Sequence, residues 1–450
     1  MKDSPDMNDA PNQLGDRVIQ PPEYAIICPP EGVERVRRGG GAMLQPVDVG
    51  VVSFENYVPL LDHELVQEIR DLAKRFQGAR ILQINATPYG GGVSELLRSM
   101  IPIYRSLGIE AHWQVIFGDE KFFEVTKSFH NALQGMQYLL DRGSKEEYRS
   151  HNTRNARLLK ESYDYAIVHD PQPALLRHYH GRDSTKWVWR CHIDTSTPNP
   201  MVWEYLHPYI QEYDAAVFTC REFVPPDLDM RIAIIPPAID PLSPKNMDLP
   251  SDLCRQVVDW IGIDPSRPLV TQISRFDPWK DPQGVIDAFL IVKGEVPDAQ
   301  LVMAGSMALD DPEAWHMYHD IMDYAKQFDD IYIFTNFQGI GNIEVNSLQR
   351  LSTVVIQKSL KEGFGLVVSE ALWKGTPVVA GKAGGIPLQL QHGVSGFLVE
   401  TVEECAEKIL YLLRHPQEAK EMGQRGREWV RQNYLIPRLI RDELSLLASL

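Results

Sequence analysis

Arg275 and Lys280 stand five residues apart in SRFDPWKD, directly after the apolar run PLVTQI. On a turn at a strand end such a pair can meet one pyrophosphate from two sides, the guanidinium as a planar fork and the ammonium as a point charge. Alone the pair says little, because charged loops are common. Further on, Glu362 precedes Gly363, Phe364, Gly365 and Leu366, and Glu370 follows about two turns into LVVSEALWKG. The two glycines let the backbone turn tightly, and the amides that open the next helix face an anion with the helix dipole behind them. A carboxylate at 362 does not favour phosphate but accepts hydrogen bonds from sugar hydroxyls, and one at 370 can do the same for a ribose. The bland alternative is a helix with two ordinary surface glutamates.

Gly90, Gly91 and Gly92 offer a second anion site, since a helical stripe of Val93, Leu96, Leu97, Met100, Ile101, Tyr104 and Leu107 follows them. Three glycines are otherwise a flexible turn. His169 and Asp170 end the run YDYAIVHD, where a histidine is either a satisfied core residue or, at a strand end, a sugar ligand. Arg190, His192 and Asp194 end the next run in WRCHIDTSTPN, where they line an acceptor pocket or satisfy one another.

The elements that must hold these residues alternate. Residues 57–76 have helical spacing, and ARILQIN is a strand that leads through the glycines into the helical stripe at 93–107, where Pro102 is expected to bend the helix. Strand-like runs recur at 163–170, 187–193, 215–221 and 232–240, and residues 236–250, rich in proline, form a linker. A second series starts at 268–276 and continues through 299–305, 331–336, 353–359, 376–381 and GFLV. Two such series predict an α/β chain of two doubly wound parallel-sheet Rossmann-like domains, with ligands beyond the carboxyl ends of the strands. The expected divisions are a mobile extension at 1–20, an acceptor-side domain at 21–240, a nucleotide-sugar domain at 241–425 and a helix at 426–450 packing back toward the first domain.

The bulk numbers agree with this plan. A chain of 450 residues, 44% hydrophobic and 24% charged, is long enough for two or three domains. Its net charge of -16 argues against sequence-independent nucleic-acid binding but not against a small anion in a local cationic site. No apolar run spans a bilayer and no signal peptide is evident at the N-terminus, so a cytoplasmic location and no membrane partner are expected. Cys28, Cys191, Cys220, Cys254 and Cys405 lack paired spacing and are expected to be free buried thiols, with no metal site.

Taken together, EGFGLVVSEALWKGTPVVA with its E-x7-E spacing, the Arg275/Lys280 pair, AGGIP at 383–387 and HGVSGFLV at 392–399 resemble, in order and spacing, the family 4 retaining glycosyltransferases of GT-B fold. FHNALQG at 129–135 and RCHID narrow the resemblance to trehalose glycosyltransferring synthases. The resemblance implies a retaining hexosyltransferase that moves glucose from a nucleoside diphosphate glucose to free glucose, forming trehalose. It implies that Arg275 and Lys280 neutralise the donor diphosphate, that Glu362 and the amides of 363–366 hold sugar and phosphate, and that Glu370 binds ribose. Gly90–92 would close over the phosphates, and His169 would bond the donor glucose. Asp170, Arg190, His192, Asp194 and Asn131 form the expected acceptor set. No tightly bound cofactor is implied; Mg2+ stimulation and a homodimer are further expectations. Leu388-Gln389 stands where relatives often carry a carboxylate, which leaves the donor base open. Three other readings remain: a trehalose phosphorylase using inorganic phosphate, a synthase using a phosphorylated acceptor, and a catalytically silent sugar-nucleotide sensor.

Overall fold

The computed structural model describes residues 44–89, 91–307 and 312–450; the 1–20 extension, Cys28 and Gly90 lie outside them. Among the described residues, thirteen strands form two sheets. The first sheet holds β1 (Gln45–Pro46), β2 (Arg80–Asn85), β3 (Glu110–Val115), β4 (Tyr165–His169), β5 (Lys186–Arg190), β6 (Ala215–Phe218) and β7 (Ile232–Ile234). Their order is β1-β3-β2-β4-β5-β6-β7, parallel except for the antiparallel edge strand β1. The second sheet holds β8 (Leu269–Ile273), β9 (Gln300–Gly305), β10 (Ile331–Thr335), β11 (Val354–Gln357), β12 (Val378–Gly381) and β13 (Gly396–Val399), all parallel, in the order β10-β9-β8-β11-β12-β13.

The apolar runs became strands because helices cover both faces, so nearly every residue along β2, β8, β9 and β11 is buried. Chain order reverses between β2 and β4 in one sheet and between β8 and β11 in the other. At such a switch point the outgoing loops part and leave room for a ligand. The glycine loop, the Arg275/Lys280 turn, the Glu362 segment, His169-Asp170 and Arg190–Asp194 fall at or after the ends of these strands or of their immediate neighbour β5, whereas 383–387 follows β12 and 129–135 ends the helix after β3. The helix Gly92–Ser106 runs through Pro102, which is buried, so the proline does not end it.

The chain crosses between the lobes twice. The two crossings lie side by side: Ile239 N donates to Tyr434 O at 2.8 Å and Ile436 N to Ile239 O at 2.9 Å. The stretch after the first crossing is held to the second lobe, since Asn346 Nδ2 donates to Pro244 O and Met247 O. The helix Pro416–Asn433 stays with the second lobe, where Val430 packs beside Leu372. The return therefore comes about ten residues later than the expected 426, with Ile436–Leu447, whose Leu439, Ile440 and Leu444 enter the core beneath the first sheet. Cys191, Cys220, Cys254 and Cys405 are free and buried.

Candidate active site

Two helices begin toward each other where the sheets' carboxyl ends meet. Gly91, at φ +124°, precedes Gly92–Ser106, and Gly365, at φ +79°, precedes Leu366–Trp373. Neither N-terminus has a side-chain cap. A Cβ added to Gly92 would lie 3.2 Å from Leu366 Cδ1, so uncapped amides of both lobes converge on one place.

Glu362 lies against the start of the second helix, its Cγ 3.1 Å from where a Cβ on Gly365 would sit. Its Oε2 accepts from Lys280 Nζ at 2.6 Å, Ser359 Oγ at 3.3 Å and Gln357 Nε2 at 3.4 Å. Lys280 and Glu362 are largely buried, their side chains 15% and 12% exposed, whereas Arg275 is 63% exposed and paired with Asp277 at 3.3 Å. The two cations are thus unequal: one buried against Glu362, the other largely exposed beside Asp277. The 383–387 stretch buttresses the Glu362 loop from behind. Gly385 N donates to Gly363 O at 3.2 Å, and the Gln389 amide donates to Phe364 O while its oxygen accepts from Ser369 N at 3.0 Å. Glycine is required at 384, because a Cβ there would sit 1.6 Å from Glu362 O. Gln389, which stands where relatives often carry a carboxylate, is buried scaffolding.

Glu370 is 1% exposed. Its Oε1 pairs with Lys245 Nζ at 3.1 Å, and Lys245 also meets Glu95 of the glycine-loop helix at 3.3 Å. Glu370 Oε2 has no hydrogen-bond partner, an orphaned buried acceptor that a ribose hydroxyl would satisfy. Beside it, burial pushes the Lys374 ammonium down to about 7, with its Nζ on Asn246 Oδ1 at 2.8 Å.

From the first lobe, the loop after β5 abuts this site: a Cβ on Gly363 would lie 2.5 Å from His192 O. His192 is half-buried and its Nε2 lies 2.9 Å from His169 Nδ1. Burial and the Arg190 charge hold both imidazoles well below the usual histidine range. Asp170 adopts φ +63°, its Oδ1 accepts from His192 N at 2.8 Å, and burial raises its carboxyl to about 7. Asp194 Oδ1 is used by Ser196 N at 3.0 Å and Oγ at 2.6 Å. Arg190 corrects an expectation. It is 2% exposed and its guanidinium is committed to Glu443 Oε2 at 3.0 Å and Ile235 O at 3.2 Å, so it serves the fold and not an acceptor sugar.

Asn131 lies near the end of the helix Glu120–Leu133, and Lys361, next to Glu362, donates to Gln134 O just beyond it. The same helix end carries His130, which the sequence reading passed over. Burial, then the charges of Arg275 and Lys127, push its imidazole down to about 4. Gln83, Lys245 and Glu443 were also missed. Gln83 and Glu443 had a signal: each is a polar residue at a core-facing position of an apolar pattern. Among the described residues, Asp119, Glu147 and His151 form one cluster of metal-ligand type. Its imidazole Nδ1 already lies 2.9 Å from Glu147 Oε1 and its Nε2 3.4 Å from Asp119 Oδ2, so both ring nitrogens face a carboxylate.

Residues 83–225 match a family model described as trehalose synthase, N-terminal domain, and residues 259–429 match glycosyl transferases group 1. A trehalose synthase of Rubrobacter xylanophilus is 52% identical over 414 residues, covering 91% of this chain and 99% of that protein. One of Pyrococcus horikoshii is 44% identical over 404 residues, covering 89% and 97%. A trehalose phosphorylase of Grifola frondosa is 29% identical over 72% of this chain but only 50% of its own length. Among solved structures, sucrose-phosphate synthase from Thermosynechococcus elongatus superposes with a TM-score of 0.65 at 15% identity, covering 82% of this chain and 98% of that one. An α,α-trehalose 6-phosphate synthase from Burkholderia multivorans gives 0.64 at 16%, covering 83% and 98%. These structural likenesses establish the fold, the GT-B arrangement of two parallel-sheet α/β domains. By the extent and identity of its relatives, the chain belongs to the trehalose synthase family of group 1 glycosyl transferases.

Proposed function

We propose that the chain is a retaining glucosyltransferase that moves glucose from a nucleoside diphosphate glucose to the anomeric hydroxyl of free glucose, producing α,α-trehalose. The observation that carries this reading is the meeting of two uncapped helix N-termini, the second of them against Glu362 of the Lys280–Glu362 pair, with an orphaned carboxylate oxygen on Glu370. Amides and ammonium suit a diphosphate, and the two carboxylates suit hydroxyls of sugar and ribose. Glu362 is bound by a cation and Glu370 is buried beside Lys245, so neither is set up as half of a hydrolytic acid–base pair.

In the proposed step the acceptor oxygen forms a bond to the donor anomeric carbon on the face that the phosphate leaves. The carbon–phosphate oxygen bond breaks, and the acceptor proton passes to the departing phosphate. Lys280, Arg275 and the amides of 91–92 and 363–366 stabilise the charge that develops there. Asn131, Asp170, His192 and Asp194 shape the acceptor side; His169, expected to bond the donor glucose, is instead 3% exposed with both ring nitrogens taken by Gln83 and His192, and stands behind His192.

The test is incubation of the purified chain with ADP-, UDP- and GDP-glucose plus glucose, reading out trehalose and its anomeric configuration. Trehalose from at least one donor supports the reading. No disaccharide with any donor, together with glucose 1-phosphate from trehalose and inorganic phosphate, would replace it with phosphorolysis. Donor binding with no product in either assay would replace it with a sensor. The greater identity and fuller coverage of the synthases favour transfer.

A further inference from the structure

A chain of buried hydrogen bonds runs from the last helix to the acceptor loop. Glu443 Oε1 accepts from Tyr104 OH at 2.8 Å and from Gln83 Nε2 at 2.6 Å, and its Oε2 accepts from Arg190. Gln83 Oε1 lies 2.6 Å from His169 Nε2, and His169 Nδ1 lies 2.9 Å from His192 Nε2. Gln83 and Glu443 are 0% and 2% exposed, so water does not compete along the chain.

The direction of every bond follows from one end. A carboxylate only accepts, so the Gln83 amide nitrogen must face Glu443 and its oxygen must face His169. That oxygen also only accepts, so His169 carries its proton on Nε2. A neutral His169 then has a bare Nδ1, which accepts from His192 Nε2–H. The remaining nitrogen, His192 Nδ1, is left bare, and it makes no hydrogen bond among the described residues. We infer that Glu443, through Gln83 and His169, fixes His192 as an Nε2–H tautomer whose bare Nδ1 accepts a hydroxyl of the acceptor sugar. Glu443 and Gln83 are positioning residues; His192 is the group that touches substrate. This rests on the proposed function only in naming the hydroxyl as the acceptor sugar's.

Glu443→Gln tests the relay with an isosteric side chain. With the carboxylate gone, the amide at 443 can donate to Gln83, which flips. His169 then becomes Nδ1–H, and His192 Nδ1–H. Selective 15N-histidine labelling of the full chain reads the tautomers directly from ring nitrogen shifts, with His169→Asn and His192→Asn spectra giving the assignments. The expected result is Nε2–H at both positions in the wild type and an inverted or mixed His192 in Glu443→Gln. The acceptor KM should rise about tenfold, the worth of one hydrogen bond, with the donor KM unchanged. Gln83→Met cuts the chain while leaving Glu443, Arg190 and Tyr104 together, and should give a mixed His192 tautomer; it decides the case if Glu443→Gln does not fold. A His192 that keeps Nε2–H in the folded variants overturns the inference, as does a wild-type His192 protonated on Nδ1. The spectra need no turnover, so absence of transferase activity would fall on the proposed function and not on the relay.

Discussion

Replacing Lys280 by alanine removes an ammonium that lies 2.6 Å from Glu362 Oε2, in a pair whose side chains are only 15% and 12% exposed. In the resting protein that ammonium offsets Glu362. In the proposed transfer it also faces the charge growing on the leaving phosphate. Removing one such preorganised donor costs about 2.7–4 kcal/mol of transition-state stabilisation, or about 10²–10³ in kcat. The fold should suffer less. Glu362 keeps Ser359 at 3.3 Å and Gln357 at 3.4 Å, so the stability loss is about 1–2 kcal/mol. A fully orphaned buried charge would cost about 3–5 kcal/mol. Steady-state kinetics with the active donor and thermal melts read the two effects separately. A double-mutant cycle with Glu362→Gln then asks whether Lys280 acts only by neutralising its partner. If it does, the double variant turns over no slower than Glu362→Gln alone. A folded Lys280→Ala protein that keeps more than about a fifth of wild-type kcat would refute the assignment of leaving-group charge to Lys280, since the predicted loss is far larger.

Glu370→Ala removes the orphaned acceptor and should weaken nucleoside diphosphate binding by calorimetry about tenfold to a hundredfold, with kcat little changed; an unaltered Kd would remove Glu370 from the ribose site. Gly384→Ala drives a Cβ to 1.6 Å from Glu362 O at φ +50°, and should abolish activity or soluble expression. Gly294→Ala, which meets nothing within 4 Å in the helix Pro282–Glu295, should be neutral or raise stability by up to about 1 kcal/mol in melts. The acid limb of stability should be a difference of opposing groups. His130 is held at about 4 against an ordinary 6.5, so between those values the unfolded chain gains a proton that the fold refuses, and stability falls as pH falls. Asp170, raised to about 7 from 3.8, keeps a proton in the fold that the unfolded chain gives up, and adds stability as pH falls through 7. His130→Gln should therefore flatten the acid loss and Asp170→Asn steepen it in denaturation midpoints measured across pH; opposite slopes would overturn the assignment.

The sequence by itself determined what depends on near neighbours. Alternating apolar runs and helical stripes located the strands that carry the site, because burial on both faces of a parallel sheet requires continuous apolar residues. Gly375, the last residue of LVVSEALWKG, stops its helix by a local device: it adopts φ +78°, with Thr376 N donating to Ala371 O at 3.1 Å. The Glu362 to Glu370 segment and the Arg275/Lys280 turn were legible for the same reason, since glycine, charge and spacing there are local facts. What the sequence could not decide was the partner of each charged group. Arg190, at a strand end between His169 and His192, had the pattern of a ligand, yet it is neutralised by Glu443 across 253 residues of chain. Gln83 meets the same glutamate across 360. Such pairs exist only because the last helix recrosses to the first sheet. A buried polar group is satisfied by whichever neighbour the topology delivers, and spacing along the chain holds no record of it. The tertiary structure alone set Lys280 on Glu362, Lys245 on Glu370 and two glycine-led helix starts face to face, which turns separate local motifs into one site.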